Sequence, residues 1–248
     1  MMRGQCWLLS ALLMAVMACS ASEEDNGMPA ARQHMLEAIR DSVLDSASYT
    51  GRTELGDAVM DAMGAVPREE FVLPHYRPLA YRNSPLPIEA GQTISQPLIV
   101  ALMTDLLDPQ PGDVMLEVGT GSGYQAAVLS LLVKHVYSIE IVEELAESSA
   151  EVLKRLNYDN VTVKAGDGYL GWPEHAPFDG IIVTAAADEI PPPLLQQLKP
   201  GGKLVIPVGE EHGYQELLLI EVGDDGKVSK RSVLPVRFVP MTGESQRD

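Results

Sequence analysis

The run Leu116-Glu117-Val118-Gly119-Thr120-Gly121-Ser122-Gly123-Tyr124 restricts the fold of this chain more than any other segment. An apolar strand enters a glycine-dense turn, and a helical pattern from Gln125 to Leu132 leaves it. Glycine has no Cβ and tolerates positive φ, so the backbone can turn sharply and let a ligand approach the free amides that open the helix. In an α/β sheet that is the seat of a nucleotide-like cofactor. The spacing narrows the choice. Gly119, Gly121 and Gly123 read G-x-G-x-G, whereas the dinucleotide fingerprint is G-x-G-x-x-G, and its last glycine position holds Tyr124. A pyrophosphate fits this turn less well than an adenosyl group carrying a compact, zwitterionic amino acid.

Two later runs point to the same edge. His135-Val136-Tyr137-Ser138-Ile139 reads as a strand ending in Glu140, where a second parallel strand sets a carboxylate against ribose hydroxyls. Val161-Thr162-Val163-Lys164-Ala165 reads as a third, ending in Gly166-Asp167-Gly168, with Asp167 an acceptor suited to an adenine amino group. Carboxylates at successive strand ends are expected in register where open α/β sheets bind ligands.

Composition permits one sizeable α/β core, since 248 residues with 46% hydrophobic content require no second domain. A net charge of -17 would repel phosphates, which argues against nucleic acid and anionic membrane surfaces as partners. Both cysteines, Cys6 and Cys19, lie near the amino terminus, so the body of the chain has no thiol for a disulfide, a zinc cluster or a nucleophile. The terminus itself reads as an export signal over residues 1–19: Arg3, an apolar stretch from Trp7 to Met17 too short to span a bilayer comfortably, and a lipobox-like Val16-Met17-Ala18-Cys19. On that reading Cys19 is a lipid anchor, residues 20–33 a polar tether, and residues 34–248 a single domain. Cleavage at a nearby small residue and a mis-assigned start upstream of a cytosolic enzyme are the competing readings.

Periodic apolar residues at Met35, Leu36, Ile39, Val43 and Leu44, and at Leu55, Val59, Met60 and Met63, predict two amphipathic helices capping the sheet. Pro67 and Pro74 bracket a stretch, Arg68 to Leu73, that reads as extended, and Pro85 and Pro87 keep the next segment from being helical. Pro97 opens a helix running through Leu107. Beyond the nucleotide half, Gly180 to Thr184, Leu204 to Val208 and Glu216 to Val222 read as strands, with Leu194 to Leu198 helical, a turn at Gly223 to Gly226, and a final run near Val233 to Val239.

Several of these segments carry a resemblance. Val66-Pro67-Arg68-Glu69-Glu70-Phe71-Val72, Gly91-Gln92-Thr93-Ile94-Ser95-Gln96-Pro97, the glycine turn, Gly166-Asp167-Gly168, and Ala176 to Ala186 resemble, in order, the motifs of bacterial protein-L-isoaspartate O-methyltransferases. The similarity extends from about Val66 to Thr242. Leu198-Lys199-Pro200-Gly201-Gly202-Lys203-Leu204 is shared by methyltransferases at large, whereas Thr93 to Pro97 is the discriminating piece. The resemblance implies a Rossmann-like methyltransferase fold with a mostly parallel sheet flanked by helices. It implies S-adenosyl-L-methionine as methyl donor and the α-carboxylate of L-isoaspartyl residues in damaged peptides and proteins as acceptor. The ester then closes to a succinimide that reopens in part as aspartate. It also implies a cofactor set of Thr93, Ile94, Ser95, Glu117, Gly119, Gly121, Gly123, Glu140, Asp167, Gly168 and Thr242, with Ser95 the catalytic or substrate-gating residue, and no metal.

A carboxylate with a reference pKa near ~3.9 is ionised at neutral pH and needs no general base. That agrees with the absence of a histidine constellation: His34, His75, His135, His175 and His212 lack metal-ligand spacing and read as structural or surface residues. Ser95 has no His-Asp pair beside it in sequence. Its alternative role is the N-cap of the helix that Pro97 opens. The members of such a family are ordinarily cytoplasmic, which stands against the export signal here. A monomer is expected. The competing functions are a nicotinamide-dependent oxidoreductase, disfavoured by the glycine spacing, and a non-catalytic envelope lipoprotein that keeps the fold, disfavoured by the acids and Ser95 together.

Overall fold

The computed structural model describes residues 27–210 and 213–243. The signal-like segment and residues 20–26 of the tether lie outside the described residues, as does His212. Residues 27–45 are helical (α1) and continue into α2, Ala47–Thr50. The helix therefore includes residues 27–33, which the sequence assigns to the tether. Arg32 explains why: its Nε donates to Tyr81 Oη at 3.0 Å and its Nη1 to the Gly64 carbonyl at 3.1 Å, so this turn is fastened to the body of the protein.

The centre is a seven-stranded sheet of order β5-β4-β3-β6-β7-β8-β9. Its strands are β3 (Val114–Val118), β4 (His135–Glu140), β5 (Val161–Ala165), β6 (Phe178–Val183), β7 (Leu198–Val208), β8 (Gln215–Val222) and β9 (Val228–Val236). The first five run parallel and the last two pairings are antiparallel. Alternation of side chains puts Met115 and Ile182 into a core with helices α3 (Asp57–Ala65), α4 (Pro97–Leu107) and α5 (Tyr124–Ser130), while Leu116, Val118, Ile181 and Val183 face a second core on the other side. The sheet is buried on both faces, as parallel sheets are. The α/β architecture is the one expected.

Local expectations change along the chain. Arg68–Phe71 is a 3-10 helix rather than extended chain, and a second 3-10 helix, Pro74–Leu79, follows it. The Glu70 amide bonds back to the Pro67 carbonyl at 3.0 Å, and Pro74 sits at a helix-opening position where its missing N–H costs nothing. Helix α7 spans Pro192–Gln196, and Leu198 already belongs to β7. A further helix, α6 (Glu143–Arg155), follows β4, with Glu143 and Glu144 in its first turn and Lys154 and Arg155 in its last, the arrangement the helix dipole favours. A two-stranded ribbon, β1 (Leu86–Pro87) against β2 (Thr93–Ile94), leads directly into α4.

Candidate active site

The glycine turn connects β3 to α5 between β4 and β6, where the sheet order switches direction. Gly119 has φ 95°, and a Cβ there would lie 2.5 Å from Thr184 Oγ1, so only glycine lets β6 approach. Gly123, at φ 88°, opens α5 and faces Leu153 and Ser149 of α6. Gly121 contributes its amide, which donates to Glu140 Oε2 at 2.8 Å. The other oxygen of Glu140 accepts from Val142 N at 3.0 Å.

A cavity of about 820 Å³, its open mouth included, lies over this turn, within the size range of small-ligand sites. Its walls are the turn from Val118 to Ser122 with Tyr124 and Gln125, the end of β4 from Ile139 to Val142, Gly168, Thr184 and Ala185 beyond β6, the segment from Gln92 to Ser95, and the stretch from Val239 to Thr242. Val239, Pro240 and Met241 are stitched to the chain just beyond β6 by two hydrogen bonds, Ala186 N to the Val239 carbonyl at 2.8 Å and Met241 N to the Ala186 carbonyl at 2.7 Å, and by a parallel bridge. Among the described residues, Glu140, only 5% exposed, is the single charged one on the wall, and no lining side chain is basic. Such a wall suits a diol and a cationic group and offers no counter-ion to a pyrophosphate.

Of the residues expected around the cofactor, the structure gathers Thr93, Ile94, Ser95, Gly119, Gly121, Glu140, Gly168 and Thr242 on the cavity wall. Glu117, Gly123 and Asp167 are not on it. Glu117 is the penultimate residue of β3 and fully buried; Ser138 donates to its Oε2, Thr120 and Ser138 share a hydroxyl contact, and the Ala126 backbone amide favours its ionised form. Burial pushes its carboxyl up to about 8, with nearby Glu140 adding to the rise. Asp167 caps the short 3-10 helix Gly168–Leu170, accepting from Tyr169 N at 2.9 Å. The N-cap of α4 is Gln96, not Ser95, and neither side chain caps it; Asn83 Oδ1 accepts from Leu98 N at 3.0 Å instead.

The residues that sequence alone did not bring here are Gln92, Ile141, Val142, Thr184, Ala185 and Val239 to Met241. The acid pair opening α6 was a signal for the first turn after Glu140; the return of the chain after β9 left none. A second cavity, about 1020 Å³ of open space, adjoins the first and shares Thr93, Ser95, Thr184 and Val239 with it. Its remaining walls include Pro85, Gln96, Leu98, Ile99 and Leu234 to Phe238, with Arg237 as its charged residue. Among the described residues no group of three His, Cys, Asp or Glu could hold a metal ion. His175 instead stacks on Tyr137 at 3.9 Å between ring centroids.

A family model described as Protein-L-isoaspartate(D-aspartate) O-methyltransferase matches residues 42–246. The chain is 53% identical over 96% of its length to a Protein-L-isoaspartate O-methyltransferase 1 of Cupriavidus necator, covering 92% of that protein. It is 54% identical, again over 96% of its length, to a Protein-L-isoaspartate O-methyltransferase 2 of Syntrophobacter fumaroxidans, covering 96% of that one. Among solved structures, a protein-L-isoaspartate O-methyltransferase aligns with TM-score 0.73 at 29% identity, over 86% of this chain and 66% of its own. A putative protein-L-isoaspartate O-methyltransferase from Plasmodium falciparum, in complex with S-adenosyl-L-homocysteine, aligns with TM-score 0.64 at 28% identity, over 82% of this chain and 98% of its own.

Proposed function

We propose that this chain, which belongs to the protein-L-isoaspartate(D-aspartate) O-methyltransferase family, methylates the free α-carboxylate of L-isoaspartyl residues in damaged peptides and proteins. S-adenosyl-L-methionine, when bound, supplies the methyl group as a sulfonium. The observation that carries the reading is the cavity over the glycine turn, walled by one carboxylate and no cation, opening beside Ser95 into a second cavity. No finding favours a nicotinamide-dependent oxidoreductase or a non-catalytic lipoprotein.

Glu140 accepts from the ribose hydroxyls, already oriented by the amides of Gly121 and Val142. Thr93, Ile94, Gly119, Gly121, Gly168 and Thr242 shape the wall around the adenosyl and amino-acid parts. Glu117 acts from beneath the turn, bracing it through Ser138 and Thr120. Ser95 donates its hydroxyl to the acceptor carboxylate and holds it in line, while the apolar residues of the second cavity strip water from it. The acceptor enters as the ion, so no proton has to be removed before attack. The ester leaves with the peptide; the neighbouring backbone amide nitrogen then attacks the ester carbonyl, loses its proton and expels methanol, which closes the succinimide. A methyl-transfer assay on an isoaspartyl peptide and its aspartyl twin tests the reading: transfer to the first alone is expected, and equal transfer to both, or to neither, overturns it.

The amino-terminal segment carries a separate proposal. Its apolar run and Cys19 suit export, cleavage before Cys19 and acylation there, with a short acidic tether from Ser20 to Asn26. Mass spectrometry of the protein from its native host is expected to find an acylated terminus at Cys19; an unmodified full-length terminus in the soluble cytosolic fraction ends the idea. One chain supplies both cavities, which fits a working monomer, to be checked by light scattering.

A further inference from the structure

The motif run from Val66 to Val72 takes no part in either cavity's wall, yet it contains the bulkiest fully buried side chain of the described structure, Arg68, at 0% exposure. Taking a guanidinium out of water is costly unless an acid pairs with it, and hydrophobic residues commonly fill such positions at lower cost. No carboxylate among the described residues pairs with Arg68. Its sequence neighbour Glu69 is turned away, bound to Tyr81 Oη and near Arg32. Arg68 instead uses its fork on backbone: Nε donates to the Ala80 carbonyl at 2.8 Å and Nη2 to the Ser95 carbonyl at 2.7 Å. Its third nitrogen, Nη1, makes no hydrogen bond of normal geometry among the described residues, and the Tyr124 side chain beside the guanidinium supports its charge instead. The guanidinium carbon lies 4.6 Å from the centroid of the Tyr124 ring, a cation–π distance. Burial lowers its pKa, with Tyr124 opposing the shift.

Those contacts join the two halves of the site. Tyr124 is the first residue of α5, directly after the glycine turn, and lines the cofactor cavity. Ser95 stands between β2 and α4, on the wall common to both cavities. One rigid planar cation therefore touches the element that shapes the cofactor side and the residue that faces the acceptor. A lysine could not repeat this, since its single ammonium cannot serve two divergent carbonyls and stack on a ring at once.

We propose that Arg68 is a positioning residue for methyl transfer, fixing the Ser95 hydroxyl relative to the glycine turn by holding the Ser95 carbonyl and the Tyr124 ring together. The inference rests on the methyltransferase reading and on Ser95 as the group that orients the acceptor. In-line attack is sensitive to placement, and a shift of ~1 Å can cost ~100-fold in rate. A merely structural Arg68 would affect only the folded fraction.

The test uses Arg68→Lys, which keeps the charge, and Arg68→Gln, which keeps one amide donor and removes the buried charge. Folded fraction is taken from circular dichroism and melting, cofactor affinity from calorimetry, and kcat and KM from methyl transfer to an isoaspartyl peptide. The expected result is a kcat per folded enzyme reduced ~10-fold or more, with cofactor affinity within ~3-fold of wild type. In a Ser95→Ala background the same substitutions should lower kcat no further, because they act through a hydroxyl already removed. An unchanged kcat per folded enzyme overturns the proposal, as does a loss of equal size in the Ser95→Ala background. So does failure of both variants to fold, which would assign Arg68 to stability alone. A wild-type protein that transfers no methyl group to the peptide would sink the methyltransferase reading instead, and shows itself before any variant is made.

Discussion

Glu140 Oε2 accepts the Gly121 amide at 2.8 Å, so the carboxylate at the end of β4 and the turn after β3 are locked to each other before any ligand arrives. A site built in this way meets its ligand with an acceptor already aimed, and spends little of the binding energy on ordering it.

For Glu140→Ala we expect S-adenosyl-L-methionine affinity to fall ~10- to 100-fold, the ~1.5–3 kcal/mol typical of losing hydrogen bonds to a charged acceptor. The fold should survive, because β4 is held by ladders on both sides. Calorimetry alongside far-UV circular dichroism checks this, and unchanged affinity in a folded variant would remove Glu140 from the ribose.

Ser95→Ala should separate the two substrates. Turnover of isoaspartyl peptide is expected to fall ~10-fold or more while cofactor affinity stays nearly constant. The melting temperature should barely move, since Gln96 rather than Ser95 is the N-cap of α4. A drop in stability with full turnover per folded enzyme would contradict the assignment.

Glu117 makes stability depend on pH. Its carboxyl is raised from 4.5 to about 8 by burial, so between those values the unfolded chain has released a proton that the folded chain keeps. The folded state binds more protons there, and stability must fall as pH rises through the window, by up to ~1.4 kcal/mol per pH unit, then level off above the folded pKa. In Glu117→Gln this contribution should vanish. Melting series of both proteins across that range, without cofactor, provide the check; parallel curves would show that Glu117 is ionised throughout.

Arg237 lies on the second cavity, exposed and without an ion pair among the described residues, in a chain of net charge -17. Arg237→Glu should raise KM for isoaspartyl peptides flanked by acidic residues several-fold at low salt, with a smaller effect at high salt as screening shortens its reach to ~3 Å near 1 M. The cofactor affinity should not respond. A KM change independent of salt would mean that Arg237 shapes the groove rather than its field.

Much of this was legible in the sequence because it is local. The glycine spacing, the apolar strands and the acid at the end of His135 to Glu140 are short-range patterns, and each sits where its pattern placed it. Glu117 was readable further than it was read, since it shares parity with the buried Met115 and so points inward. Helix α6 was legible too: Leu145, Ala146, Ser149 and Leu153 recur on one buried face, and Glu143 and Glu144 open it. Asp167 was placed at the right strand end, but its side chain turns to Tyr169 N, and the chain near Gly243 packs over it, with a Cβ at that glycine only 2.6 Å from Asp167 Oδ1. That contact joins residues far apart in sequence. The same is true of Arg68, whose partners at Ala80, Ser95 and Tyr124 no periodicity connects.

The stitching of Val239 and Met241 to Ala186 ties the cofactor cavity to the order in which the chain is made. Synthesis runs from the amino terminus, so the glycine turn, Glu140 and Thr184 all leave the ribosome before the segment that closes the wall around them. A nascent chain halted before residue 239 has its sheet strands but only part of its cavity. A chain ending before residue 239 keeps Glu140 and the glycine turn but lacks Val239 to Thr242 of the wall, so its affinity for the methyl donor is expected to fall short of the full chain's.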